Sequence, residues 1–288
     1  MKDPMTRTDV RSMEPGTGRS EAQAGSGALP GIAIDAQNVG LWLNGSKGPV
    51  EILSRVNLQV RAGEYVAVVG PSGSGKTMFL SAVAGLEKVT SGTLRVFGNI
   101  PVPEDPRLGF AMSRDALLPW RTARGNVELS MEALGVPAKE RRERAERALA
   151  QVDLLAYADV YRAQLSQGMR QRVALARTLV TNPSLLLLDE PFAALDAQTR
   201  ILMQERLMKL LGSYEGTVFL VTHDISEAIL LADRVIVFSH RPAHVAREIT
   251  VPLPRPRSAV HSRSTPEFQS IYEEIWGQLS KEFTAEDI

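Results

Sequence analysis

Gly70, Pro71, Ser72, Gly73, Ser74, Gly75, Lys76 and Thr77 follow one another in the chain, fitting the pattern G-x-x-x-x-G-K-[ST]. Glycines at these places let the backbone curl so that successive N–H groups point inward, as phosphate oxygens require. A lysine at the end of such a loop reaches β- and γ-phosphates, and the next hydroxyl is placed for Mg²⁺. A second group, Asp189 and Glu190, closes the apolar run Leu185–Leu188. A carboxylate at the end of a buried strand, beside a phosphate loop, suits Mg²⁺ coordination by Asp189 and general-base activation of water by Glu190. His223 ends a third apolar run, VFLVT, where it can contact a terminal phosphate.

These groups need strands that deliver them to one edge. Tyr65–Val69, Leu185–Leu188, Val218–Val221 and Val235–Phe238 are short, continuous apolar runs separated by helical patterns, which predicts a parallel sheet buried on both faces. Thr93–Phe97 and Ile32–Leu43 alternate and read as an antiparallel or edge part. Met78–Leu86 reads as the helix after the phosphate loop. Between Leu117 and Leu179 strand signals vanish. Pro137–Leu149 there predicts a helix with interleaved acid and base at helical spacing, and its charged side reads as a solvated face. The segment Leu165–Arg177, LSQGMRQRVALAR, predicts a helix with Met169, Val173, Ala176 and Val180 on one face. Its polar start suits an anion although no phosphate motif adjoins it. After Ser239 prolines exclude a central strand, and Phe268–Leu279 predicts a terminal helix.

The 288 residues carry 33 basic and 33 acidic side chains and no cysteine. The balance gives no electrostatic basis for nucleic-acid binding, and disulfides and thiolate metal sites are excluded. No apolar run reaches the roughly 20 residues of a membrane span. Residues 1–30 lack the apolar core of a signal peptide and read as a disordered leader.

Taken in order, these pieces resemble the ATP-binding subunit of an ABC transporter, over Ile32 to about Arg257. The resemblance implies an α/β fold of the P-loop NTPase class, an ABC-type ATPase with a mostly parallel core sheet, an antiparallel β part and a helical subdomain. Its expected organisation is a leader at 1–30, an ATPase domain at 31–257 with the helical subdomain near 115–180, and a helical tail at 258–288. It identifies Gly70–Thr77 as Walker A, Leu165–Met169 as the signature, Leu185–Asp189 as Walker B with Glu190 catalytic, Ala194-Leu195-Asp196 as the D-loop and His223 as the switch histidine. It further implies two subunits that sandwich two MgATP head to tail, with Ser166, Gln167 and Gly168 of each facing the other's Walker A. That arrangement supplies the phosphate missing from the start of the signature helix.

The family's Q-loop glutamine falls at Ser113, which would reach the metal through water. Gln167 stands where the family usually has glycine. The adenine-stacking aromatic is Trp42, with Leu43 as the alternative register. Ala116–Thr122 and Phe238–Ala243, with the Leu253–Arg257 run, are similar to the nitrate/sulfonate/taurine importer group. Leu117–Thr122 is then the surface meeting a permease, and Leu117, Leu118 and Trp120 are alternatively core. The expected function is ATP hydrolysis coupled to uptake of a small anion through a separate permease, indirectly served by a solute-binding protein, at the cytoplasmic face of the membrane. The alternatives are a degenerate partner in a heterodimer, motivated by Ser113 and Gln167, and a soluble ABC ATPase acting on nucleic acid. The last would carry two ATPase units or a long coiled coil, and the chain shows neither pattern.

Overall fold

Each of the five residues Tyr65–Val69 is buried, and the same holds for Leu185–Asp189 and Thr217–Val221. Successive side chains in a strand face opposite ways, so full burial requires cover on both faces. The computed structural model of the protein describes residues 31–45, 48–112, 115–193 and 195–282. Its strands, in chain order, are β1 (Ile32–Gly45), β2 (Gly48–Arg61), β3 (Tyr65–Val69), β4 (Ser91–Val96), β5 (Leu108–Ala111), β6 (Leu185–Asp189), β7 (Thr217–Val221), β8 (Arg234–Phe238) and β9 (Val245–Thr250). The helices are α1 (Lys76–Val83), α2 (Ala123–Ala133), α3 (Ala138–Gln151), α4 (Gln167–Leu179), α5 (Ala197–Leu211), α6 (Ile225–Leu231) and α7 (Pro266–Leu279).

The central sheet runs β5-β6-β7-β3-β8-β9. All its neighbours pair in parallel except β9, which closes the edge antiparallel to β8. Val66, Val68, Leu185 and Leu187 face one core, shared with α1 and with the antiparallel sheet β2-β1-β4. Ala67, Val69, Leu186 and Leu188 face the other, built with α5, α6 and α7. The unbroken apolar runs are thus two interleaved half-runs, each serving a different core.

A third core lies among α2, α3 and α4, with Val127, Met131, Leu149 and Val173 fully covered. On the outside of α3 the expected spacing pairs appear as Arg142–Glu146 at 3.1 Å and Arg144–Glu140 at 3.3 Å. Arg144 also donates to the Val180 carbonyl at the end of α4 (2.8 Å), so one of these side chains ties two helices together. In α7, Phe268, Ile271, Ile275 and Leu279 are buried against the core, on the face the spacing predicts.

Three strands depart from the sequence reading, which assigned none at Gly48–Arg61, Leu108–Ala111 or Val245–Thr250. Proline after Ser239 does exclude a central strand, but β9 is an edge strand and ends before Pro252. The helix after the phosphate loop begins at Lys76 rather than Met78, and ends at Val83 rather than Leu86.

Candidate active site

Walker A leaves the C-terminal end of β3 and turns directly into α1. Gly75 caps that helix with φ of 110°, and a Cβ there would stand 2.8 Å from Ile52 Cγ2. Only glycine satisfies both conditions. The turn buries Lys76 to 6% exposure. Its ammonium donates to the carbonyls of Gly70 and Pro71, both at 2.8 Å. Burial pulls the lysine pKa down, and the charges of Glu190 and Asp189 partly offset that. The free N–H groups at the start of α1 face the same space, which favours an anion.

β6 is hydrogen-bonded to β7, and β7 to β3, so the next two groups arrive at the same edge. Asp189 ends β6, and its Oδ1 accepts the Thr77 hydroxyl proton at 3.0 Å. Burial raises the Asp189 pKa, opposed by the Thr77 hydrogen bond and assisted by Glu190. Glu190 turns off the strand with φ of 46°, a conformation non-glycine residues rarely adopt and that clusters at functional sites. Its N–H donates to the Val221 carbonyl (2.8 Å), which fixes that turn. His223 Nδ1 then lies 3.5 Å from Glu190 Oε2.

Together Ser72, Gly73, Gly75, Lys76, Thr77, Met78, Glu190, His223 and Arg241 line a cleft of about 510 Å³. Gly70 and Pro71 are outside that lining and meet it through the Lys76 ammonium, Ser74 is buried in the loop, and Asp189 contacts the cleft residue Thr77. Arg241 escaped the sequence reading. It sits in the Phe238–Ala243 stretch, and nothing in its local spacing marks it as a neighbour of residue 73.

Ser166, Gln167 and Gly168 lie elsewhere, in a separate cleft of about 390 Å³ shared with Leu195, Asp196, Thr199 and Arg206. Ser166 caps α4, its hydroxyl accepting the Met169 N–H at 3.3 Å. Asp196 caps α5 in the same way through Thr199 N–H (3.0 Å). Trp42 does not line the phosphate cleft. It is about half exposed in β1 and pairs in register with Glu51, next to the Ile52 that packs on Gly75. Leu43, the alternative, packs against the core of the antiparallel sheet. Ser113 and Ala194 lie outside the described residues. In the Leu117–Thr122 segment, Leu117 is core while Trp120 is 70% exposed.

A hard cation bound along with substrate phosphates needs only one or two protein oxygens. Thr77 and Asp189 offer a hydroxyl and a carboxylate in contact, a donor set that fits Mg²⁺. Among the described residues there is no cluster of three or more His, Cys, Asp or Glu side chains able to hold a metal unaided.

Residues 53–193 match the ABC transporter family. An uncharacterized ABC transporter ATP-binding protein of Methanocaldococcus jannaschii is 41% identical over 239 residues, covering 83% of this chain and 87% of that protein. The chain belongs to the ABC transporter ATP-binding family. Other ABC relatives include the nitrate import ATP-binding protein NrtD of Synechocystis (39% identity, 84% of this chain, 93% of the relative). The bicarbonate transport ATP-binding protein CmpD of Synechococcus elongatus is 37% identical (87% and 91%). Among solved structures, the dimeric ABC cassette MJ0796 in a post-hydrolysis state bound to ADP and phosphate superposes with a TM-score of 0.67. It is 33% identical, covering 77% of this chain and all of that one. The fold is that of an ABC ATPase, and the protein is an ATPase whose hydrolysis is coupled to transport.

Proposed function

We propose that this ABC ATPase drives an importer for a small anion, working as a head-to-tail dimer beneath a separate permease. The observation that carries the reading is the meeting of Lys76, Thr77, Asp189, Glu190 and His223 at one sheet edge, while Ser166–Gly168 stand apart at their own cleft. The signature is accordingly proposed to serve a phosphate brought by another copy. The MJ0796 cassette, described as dimeric, supports that arrangement.

In the proposed mechanism, Lys76 exchanges the carbonyls of Gly70 and Pro71 for β- and γ-phosphate oxygens. The loop N–H groups and the start of α1 hold the remaining phosphate charge. Thr77 and Asp189 would hold Mg²⁺, which when bound would neutralise charge on the phosphates. Glu190 accepts a proton from a water that attacks the γ-phosphorus; the bond from that phosphorus to the ADP oxygen breaks, giving ADP and inorganic phosphate. His223 contacts the γ-phosphate and steadies Glu190. Ser166 and the N–H groups near Gly168 of the second copy close the site, with Gln167 at the contact, so that ATP favours the closed dimer and phosphate release reopens it. Trp42 is proposed to stack on adenine, and Ser113 to reach the metal through water.

The relatives named for nitrate and bicarbonate import support a small anion as cargo. Among the described residues no helix is long and apolar enough to cross a membrane, and we place the subunit peripherally at the cytoplasmic face, with exposed Trp120 on the permease-facing surface. Its test is Trp120→Ala: basal ATPase activity is retained while co-purification with the membrane subunits falls. Undiminished co-purification would remove Leu117–Thr122 from the interface.

A further inference from the structure

The Ser239–His244 connection between β8 and β9 carries an arginine over the phosphate loop, and its backbone is held on both sides. The Ser54 N–H donates to the Ala243 carbonyl (2.9 Å) and the Ala243 N–H to the Ile52 carbonyl (2.8 Å), fixing it to β2. On the other side the Phe238 carbonyl lies 2.9 Å from where a Cβ on Gly70 would stand. The Ser239 hydroxyl accepts the His244 N–H at 3.0 Å, closing the turn internally. The Arg241 side chain projects from this fixed backbone. Its guanidinium donates to the Gly73 carbonyl at 2.6 Å and lines the same cleft as Lys76, Glu190 and His223.

Among the described residues no carboxylate pairs with Arg241. At the far end of β8 the arginines are neutralised: Arg234 by Glu64 and Glu248, and Arg255 by Asp233. A guanidinium has five N–H donors in a planar fork suited to phosphate oxygens, and one loop carbonyl uses little of that capacity. The charge balance of the cleft points the same way. Lys76 faces the two carboxylates Asp189 and Glu190, so the side chains there carry a net negative charge without Arg241 and are neutral with it.

We propose that Arg241 is a phosphate contact supplied in cis, leaving Gly73 to donate to the terminal phosphate of bound ATP and so favouring ATP over ADP. The proposal rests on the phosphate-cleft reading above. Arg241 lines one cleft with Glu190 and His223, the two groups proposed above to meet the terminal phosphate and its attacking water. Its rigid backbone would present the guanidinium with little ordering cost.

The test is calorimetric titration of the full chain with MgAMP-PNP and with MgADP, for wild type and for Arg241→Gln, Arg241→Lys and Lys76→Ala. Loss of a charge-assisted hydrogen bond predicts that Arg241→Gln weakens MgAMP-PNP by about tenfold or more and MgADP by less than about threefold. Arg241→Lys, which keeps the charge and loses the fork, falls between and carries the comparison if the glutamine variant does not fold. Equal weakening of both nucleotides would reduce Arg241 to a brace for Gly73, and no weakening would remove it from the site; either overturns the proposal. Lys76→Ala separates the two readings. If it leaves both affinities intact, the phosphate cleft itself is wrong; if it abolishes both while Arg241→Gln is silent, only the role of Arg241 fails.

Discussion

His223 Nδ1 stands 3.5 Å from Glu190 Oε2 although the two residues belong to different strand ends. The link is the β6–β7 pairing, carried one step past the strand by the Glu190 N–H to Val221 carbonyl bond. The left-handed backbone at Glu190 is thereby stabilised by a neighbouring strand. A carboxylate held this way is suited to take a proton from water, with the imidazole beside it and the phosphate loop opposite. Glu190→Gln keeps the shape and removes the base. Its turnover should fall by roughly 10²-fold or more, with MgATP binding retained and an ATP-bound dimer accumulating on size-exclusion chromatography. A variant that matches wild type in both turnover and oligomeric state would deny Glu190 this role. His223→Ala should also lower kcat while leaving MgADP affinity within about twofold, because its proposed contact is with the phosphate that ADP lacks.

The exposed Thr77 donates its hydroxyl proton to the buried Asp189 carboxylate. Desolvation has raised the Asp189 pKa, so its charged form is costly until a cation arrives. Replacing it by asparagine removes the charge and keeps the size. The Mg²⁺ concentration giving half-maximal ATPase activity should rise by about tenfold or more in Asp189→Asn. Chelation of Mg²⁺ should stop wild-type turnover. An unchanged Mg²⁺ titration would mean that the metal is held elsewhere.

Behind His223, Glu227 is buried in the first turn of α6. Thr222 donates to its Oε2 at 2.7 Å, while Oε1 has no partner among the described residues. Burial raises its pKa from 4.5 to about 8; Thr222 and Arg200 oppose the shift, and Asp224 and Glu190 add to it. Below pH 4.5 folded and unfolded chains both hold the proton. Between 4.5 and 8 the unfolded chain releases it and the folded chain keeps it, so stability declines as pH rises, by at most about 1.4 kcal/mol per pH unit. Above 8 the loss levels off. Glu227→Gln accepts the Thr222 bond and cannot ionise. Denaturant unfolding at pH 5 and at pH 8 should therefore show the variant gaining on wild type as pH rises, and parallel profiles would show that Glu227 is not a buried neutral acid.

What could be read in advance follows physical lines. β3 and β6 are legible because burial on both faces leaves no polar residue to interrupt them. β2 is not, because its two-residue period breaks where Ile52 and Leu53 are both buried, and Arg55 takes a φ of 51°. β5 is four residues long, and β9 carries Arg247 and Glu248 on a sheet edge, where apolar patterning is weak. Within the site, the Gly70–Thr77 loop is contiguous and so visible in sequence. The Arg241 contact spans 168 positions, and only the β8–β9 turn against Gly70 and β2 creates it. Leu117 and Trp120 separate into core and surface because Leu117 reaches the helical core and Trp120 does not.

Gln167 departs from the family pattern where closure of a dimer would demand the most of the chain. It is the first residue of α4, just after the Ser166 cap, and it is exposed. In the proposed dimer a second copy's phosphate approaches the N–H groups of this turn, and Gly168 beside it has Thr199 Cγ2 only 3.3 Å from where a Cβ would be. Space is thus limited on the Thr199 side, and Gln167 lines the same cleft. Glycine at 167 costs no more than about 1 kcal/mol of helix propensity at a terminal position, while opening the approach. Gln167→Gly should therefore lower the melting temperature slightly, raise kcat, and reach half-maximal turnover at a lower protein concentration than wild type. A concentration series at saturating MgATP measures both. Unchanged turnover at every concentration would mean that the glutamine folds aside on closure, and that bulk at this position does not limit the cycle.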